Sequence, residues 1–215
     1  MKRRKRLFIS ILTGVITVFS LNLWSVPVYP GKTMGVGIEA GYVLFKDSQF
    51  NDTPSGNVTF FYAPFNGMRF EFKGGFIPCR VDDRAGGAGR GKLSIIPLQL
   101  SAQYYFALKK EVVSYVGGGI DLYLLHFSLD QTVSWLSEGF VVKEKIKSRF
   151  GYHVGAGVEV MANAGTVIFI DARYAIVTPH GQYAMVDTTT GIETSGTYSV
   201  HLSPVTIGMG VRFLF

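Results

Sequence analysis

Beyond residue 33 apolar side chains recur at every second position, and the positions between them carry glycine, hydroxyl groups or charge. Period 2 belongs to strands, because successive side chains of an extended backbone point to opposite faces. The last eleven residues, VTIGMGVRFLF, show the pattern: Val205, Ile207, Met209, Val211, Phe213 and Phe215 share one parity, and Thr206, Gly208, Gly210 and Arg212 the other. Eight segments of this kind read as strands, at residues 34–45, 57–63, 68–78, 93–106, 113–126, 150–161 and 166–177, with the eighth beginning near Tyr198. No helical period competes with them.

The connections alternate too. Those after the second, fourth and sixth strands are tight (residues 64–67, 108–112 and 162–165), whereas those after the odd strands are long and polar (46–56, 79–92, 127–149 and 178–197). An even strand count with short turns at one end and long loops at the other is the layout of an outer-membrane barrel. The expected fold is therefore all-β: an eight-stranded antiparallel transmembrane up-and-down β-barrel over residues 32–215, with short periplasmic turns, four longer extracellular loops and both termini on the periplasmic side.

A secreted barrel with a dry ligand cup would put its large apolar residues inside. Here the polar parity is rich in glycine and carries Glu39, Arg69, Glu71, Lys73, Asp121, Glu159, Asp171, Arg173 and Arg212. Such charges suit the narrow interior of an eight-stranded barrel, paired with one another, with glycines leaving room for long side chains. The apolar parity then faces lipid, where a charge at mid-depth costs about 2–4 kcal/mol.

The charged fraction is only 17%, yet the formal net charge is +6. Much of that excess sits in Lys2-Arg3-Arg4-Lys5-Arg6, directly before an apolar stretch that runs to Trp24. A basic cluster followed by an apolar segment is the layout of an export signal, assigned here to residues 1–25, with a retained membrane anchor as the competing reading. Removing 1–25 takes five of the 21 basic residues and leaves 16 against 15 acids. The basicity is thus a targeting feature, and no nucleic-acid partner is expected. Cys79 is the single cysteine, so an intrachain disulfide is excluded. No cofactor or metal is expected: His153, Glu159 and Asp171 share a parity without ligand spacing, His180 and His201 fall in or beside the fourth loop, and the glycine-rich stretch at 86–92 lacks the spacing and following helix of a phosphate loop.

Four stretches, IIPLQLSAQYYF (95–106), YVGGGIDLYL (115–124), FGYHVGAGVEV (150–160) and VTIGMGVRFLF, resemble strands of the outer membrane protein W and opacity-protein-like barrel families. The resemblance implies residence in the outer membrane of a Gram-negative bacterium. It also implies that Phe215, Phe213, Val211, Met209 and Ile207 form the signal read by the barrel-assembly machinery. Related barrels include channels, adhesins, structural proteins and enzymes, so it specifies a fold more than an activity.

The leading expectation is a non-enzymatic, porin-like protein: a narrow channel for small or hydrophobic solutes, or a structural envelope protein with a charge-filled lumen. A surface adhesin acting through the loops is the alternative. The third reading is a hydrolase. His126 and Ser128, two apart on one strand, share a face, and Glu138 or Glu144 would be the orienting acid. Lipid A deacylases, which are similar in size, use a His-x-Ser pair, but their motif continues with Asn where this chain has Leu129, and it lies late in the chain. Lys143, Lys145, Lys147 and Arg149 fall on one parity and offer a contact for lipopolysaccharide phosphates. Trp135, Leu136, Phe140, Val141 and Val142 make the third loop apolar enough to cover the mouth, extend as a hairpin or meet a hydrophobic ligand.

Overall fold

The computed structural model describes residues 33–47, 50–65, 67–81, 91–109, 111–129 and 140–215. The expected signal at 1–25, the glycine-rich stretch before Gly91, and Trp135, Leu136 and Glu138 lie outside the described residues. Among the described residues eleven strands follow in order: β1 (Met34–Leu44), β2 (Thr53–Phe65), β3 (Met68–Val81), β4 (Gly91–Lys109), β5 (Val112–Leu129), β6 (Phe140–Ile146), β7 (Arg149–Asn163), β8 (Thr166–Ile176), β9 (His180–Asp187), β10 (Glu193–Ser199) and β11 (Val205–Leu214).

Eight of them close into a barrel, ordered β1-β11-β8-β7-β5-β4-β3-β2, and every neighbouring pair is antiparallel. First and last strands meet along Gly35↔Leu214 to Leu44↔Val205, with Met34 and Phe215 exchanging backbone hydrogen bonds. Closure removes the free edges that hydrocarbon would not tolerate. The tight turns link β2 to β3, β4 to β5 and β7 to β8. Gly67, at φ 78°, supplies the left-handed residue that the first of these needs.

Parity places the side chains. Ile38 is 62% exposed, Ile170 56% and Met209 58%, while the charged residues between the outward positions are buried. In water such a surface would drive aggregation; against lipid it is the solvent-matched face.

Several strand boundaries differ from expectation. The second strand is Thr53–Phe65, longer than 57–63. β3, β4 and β5 run to Val81, from Gly91 and to Leu129, which shortens the second and third loops from below. The eighth barrel strand begins at Val205, whereas Tyr198 belongs to β10. The extended pattern near Tyr198 does mark a strand, but its partner is β9, and Ser203, at φ 27°, and Pro204 break the chain before β11 starts.

β10, β9 and β6 form a second, three-stranded sheet on the long-loop side, so the third and fourth loops are structured against each other. Among the described residues the third loop forms β6, which pairs with β9 of the fourth loop. The β9–β10 turn is held by Asp187, whose carboxylate accepts from Thr190 Oγ1 at 2.7 Å and the Thr189 amide at 2.8 Å. Those hydrogen bonds, the Thr190 hydroxyl first, hold it below the usual carboxylate range.

Candidate functional site: a layered lumen

The inward parity of the barrel strands fills the interior in three layers. On the turn side, Phe61, Val167 and Leu214 pack together, with Tyr105, Val113 and Tyr115 as a second cluster. At mid-height lie the charges. Towards the loops, Val43, Ile77, Cys79, Leu93, Ile95, Tyr123, Ala175 and Val177 form an apolar layer, which Phe50, Ile146, Val200 and Leu202 complete from the connecting segments.

All nine expected lumen residues are buried and belong to one connected network. Arg69 reaches Gln103 Oε1 at 2.6 Å and Glu159 Oε1 at 3.0 Å. Arg212 pairs with Glu71 at 2.6 Å and with Glu159, and Arg173 with Glu71 and, at 3.2 Å, with Asp171. Lys73 bridges Glu39 and Asp171. Asp121 enters through His153: its Oδ1 lies 2.6 Å from Nδ1, Nε2 lies 2.9 Å from Ser101 Oγ, and Arg173 Nη1 donates to the same hydroxyl at 3.3 Å. Five carboxylates (Glu39, Glu71, Asp121, Glu159, Asp171) thus face four fixed cations (Arg69, Lys73, Arg173, Arg212) and one imidazole.

Aromatic rings floor the layer. The Arg212 guanidinium lies 3.7 Å from the Phe169 ring centre, and that of Arg69 4.4 Å from the Tyr105 ring and 4.6 Å from the Phe61 ring. These contacts suit arginine, whose planar, weakly hydrated head stacks as well as pairs. Glycine makes the packing feasible at two points: a Cβ on Gly208 would meet Glu39 Oε1 at 2.5 Å, and one on Gly155 would meet Arg173 Cγ at 2.9 Å.

Sequence reasoning missed Asn57 and Tyr115, which hydrogen-bond Glu39 at 2.8 Å and Asp171 at 3.2 Å. It also missed the apolar loop-side layer. The available signal was residues 93–98, where Leu93 and Ile95 accompany Ile96 and Leu98, so both parities are apolar.

The Ser-His-Asp constellation that the structure assembles is Ser101-His153-Asp121, not one built on His126. It is buried at 2%, 4% and 1% exposure, its serine already accepts from Arg173, and it reads as part of the packing network. His126 and Ser128 stand exposed on the outward face of β5, without a hydrogen bond between them. Glu144 lies in β6, on the separate sheet. Lys143 and Lys145 belong to β6, which ends at Ile146, so the single parity expected for Lys143 to Arg149 is interrupted; Lys147 and Arg149 are exposed. His180 and His201 are exposed as well. Among the described residues no group of acids, histidines or cysteines is arranged to hold a metal. On β11, Ile207, Met209, Phe213 and Phe215 face outward and Val211 is half-buried.

The wall is weakest beside the apolar layer. The regular β2–β3 ladder ends at Gly56↔Phe76; beyond it the Thr53 hydroxyl donates to the Pro78 carbonyl and the Asn51 amide to the Arg80 carbonyl at 3.0 Å, before the bridge Phe50↔Val81. The β3–β4 register carries no pair between Gly74↔Leu98 and Ile77↔Ile95, where Pro97 lacks an amide to donate. Pro54 and Pro78 stand in the adjoining stretches, and a groove of about 410 Å³ opens there between Asn51–Thr53, Pro78–Arg80 and Lys92–Ser94.

Comparison with solved structures returns small outer-membrane barrels. OprG of Pseudomonas aeruginosa superposes with a TM-score of 0.72 at 15% identity, over 87% of this chain and 97% of that one. Neisserial surface protein A gives 0.58 at 16%, over 85% and 97%, and outer membrane protein W of E. coli 0.54 at 17%, over 86% and 100%. At these identities the likeness concerns the fold. Comparison with curated protein sequences yields no match. The OmpW family model spans residues 79–215, well over half of the chain, and with the closed eight-stranded barrel it shows that this protein belongs to the OmpW family, in the outer membrane of a Gram-negative bacterium.

Proposed function

We propose that the protein is a narrow uptake barrel for small hydrophobic solutes. The observation that carries this reading is the division of the lumen: a buried apolar layer on the loop side, covered by Phe50, Ile146, Val200 and Leu202, stands over a charged layer that fills the barrel at mid-height. An apolar molecule gains by entering the first, at roughly 25 cal/mol per Å² removed from water, and is refused by the second, where it would break buried ion pairs. The loosely paired wall between β2 and β4 lies beside the apolar layer, which gives such a solute a short way sideways into the membrane. Ions find no comparable path.

The test is entry of a small apolar dye into cells producing the wild-type barrel or the Ile95→Gln variant, with surface-exposed, folded protein matched between them. Faster entry than in cells lacking the protein, reduced several-fold by Ile95→Gln, is the expected result. Equal entry in all three strains would overturn the reading.

The three-stranded sheet outside the barrel favours a second reading, a surface-binding role, since it is structure beyond what closure of the wall requires. Replacing residues 181–199 by a short turn separates the two: loss of attachment to host cells with unchanged dye entry would assign the function to the sheet.

A further inference from the structure

We propose that the outer wall of the barrel carries a binding site for the phosphate groups of the glycolipid that forms the outer leaflet, built on Arg80 and Lys92. The inference rests on the barrel's residence in the outer membrane and not on its transport reading. Among the described residues, these are the two basic side chains on the lipid-facing parity of the barrel strands, and both are exposed. They are also direct partners across the β3–β4 ladder. Like charges opposite one another in a sheet repel, and among the described residues no carboxylate forms an ion pair with either. A shared anion turns that repulsion into attraction.

Height identifies the anion. The outward residues of β3 run from Met68 to Pro78 before Arg80 is reached. Ten residues at about 3.3 Å, tilted by about 40°, rise roughly 25 Å, which is the height of the lipid-facing apolar band. Arg80 therefore emerges at the headgroups. The register continues the row to Ser128 through Lys92↔Ser128, and the row beneath it places Ser94 opposite His126. Two cations with hydroxyl and imidazole groups around them, over a wall of Phe76, Ile96 and Leu124, match a phosphorylated saccharide whose acyl chains descend along the barrel. On this reading His126 and Ser128 are headgroup contacts. Asp52 shares the adjoining groove, with its Oδ1 engaged by the Phe45 amide at 2.9 Å.

The experiment titrates the full barrel, purified in neutral detergent, with bis-phosphorylated lipid A and with the same lipid A dephosphorylated, read by native mass spectrometry. Wild type should bind the phosphorylated form, and R80A/K92A should bind it roughly 10- to 30-fold more weakly, at about 1 kcal/mol for each basic residue near a charged membrane surface. R80K/K92R should retain binding, K147A/R149A should leave it unchanged, and the dephosphorylated lipid should bind wild type no better than the phosphorylated form binds R80A/K92A. The dephosphorylated lipid on wild type needs no variant to fold. Equal binding of the two lipids, equal binding by wild type and R80A/K92A, loss confined to K147A/R149A, or inorganic phosphate competing as tightly as lipid A would each overturn the proposal.

Discussion

Glu71 is where three guanidinium groups meet: Arg173 and Arg212 pair with its two oxygens, Arg69 stands 3.6 Å away, and the Gln103 amide donates at 3.2 Å. A buried ion pair adds little over an apolar substitute, but removing one partner leaves the others uncompensated in a medium that cannot solvate them. Glu71→Gln keeps the shape and deletes the charge, so it should cost about 3–5 kcal/mol, measured by urea unfolding of the refolded barrel in lipid. A variant as stable as wild type would mean that the network is wet. The nine charges were legible in the sequence, since parity alone put Arg69, Glu71 and Lys73 on one face and Arg212 opposite the lipid stripe. Their partners were not, because parity assigns a face and says nothing of which strands stand across a closed lumen from one another. Asp121 and His153 come together only because β5 pairs with β7, over a connection that contains β6.

At the scale of the strand, what matters is the space each position leaves. Gly119, in β5, admits no side chain, because a Cβ there would sit 1.9 Å from the Leu100 carbonyl oxygen, whereas one on Gly56 in β2 would meet nothing within 4 Å. Gly119→Ala should lower the folded fraction in outer membranes, and Gly56→Ala should leave it unchanged or raise it, read as heat-modifiable mobility on gels. On the opposite face, Ile170→Arg places a charge among lipid chains at a cost of about 2–4 kcal/mol, while Ile170→Leu should be neutral. The barrel strands were legible because one face of each meets lipid and the other a packed lumen, so hydrophobicity alternates. Tyr198 and Ser199 read as the start of the last barrel strand for a reason of the same kind: ETSGTYS has strand chemistry but no lipid face, and its pairing with β9 places it outside the barrel. The apolar layer escaped notice because β3, β4 and β5 continue past the band in which alternation is informative.

For the molecule as a whole, the layers decide what crosses. With ion pairs filling the middle and apolar clusters on both sides of it, the wild-type barrel in a planar bilayer should show no discrete ion-conducting openings. Steady single-channel steps from folded protein, altered by Arg69→Ala, would place a water path through the charged layer instead. The wall is less uniform than the lumen. Seven of its seams run as continuous or once-shifted ladders over most of their length, and the pairing is thinnest where β2, β3 and β4 carry Pro54, Pro78 and Pro97. There the Thr53 hydroxyl and the Asn51 amide take over from the regular ladder, donating to the Pro78 and Arg80 carbonyls, so the protein itself serves backbone to which hydrocarbon offers nothing. That arc of the wall is irregular while the β8–β11 ladder runs unshifted, so neighbouring lipids meet this barrel as a body with a direction.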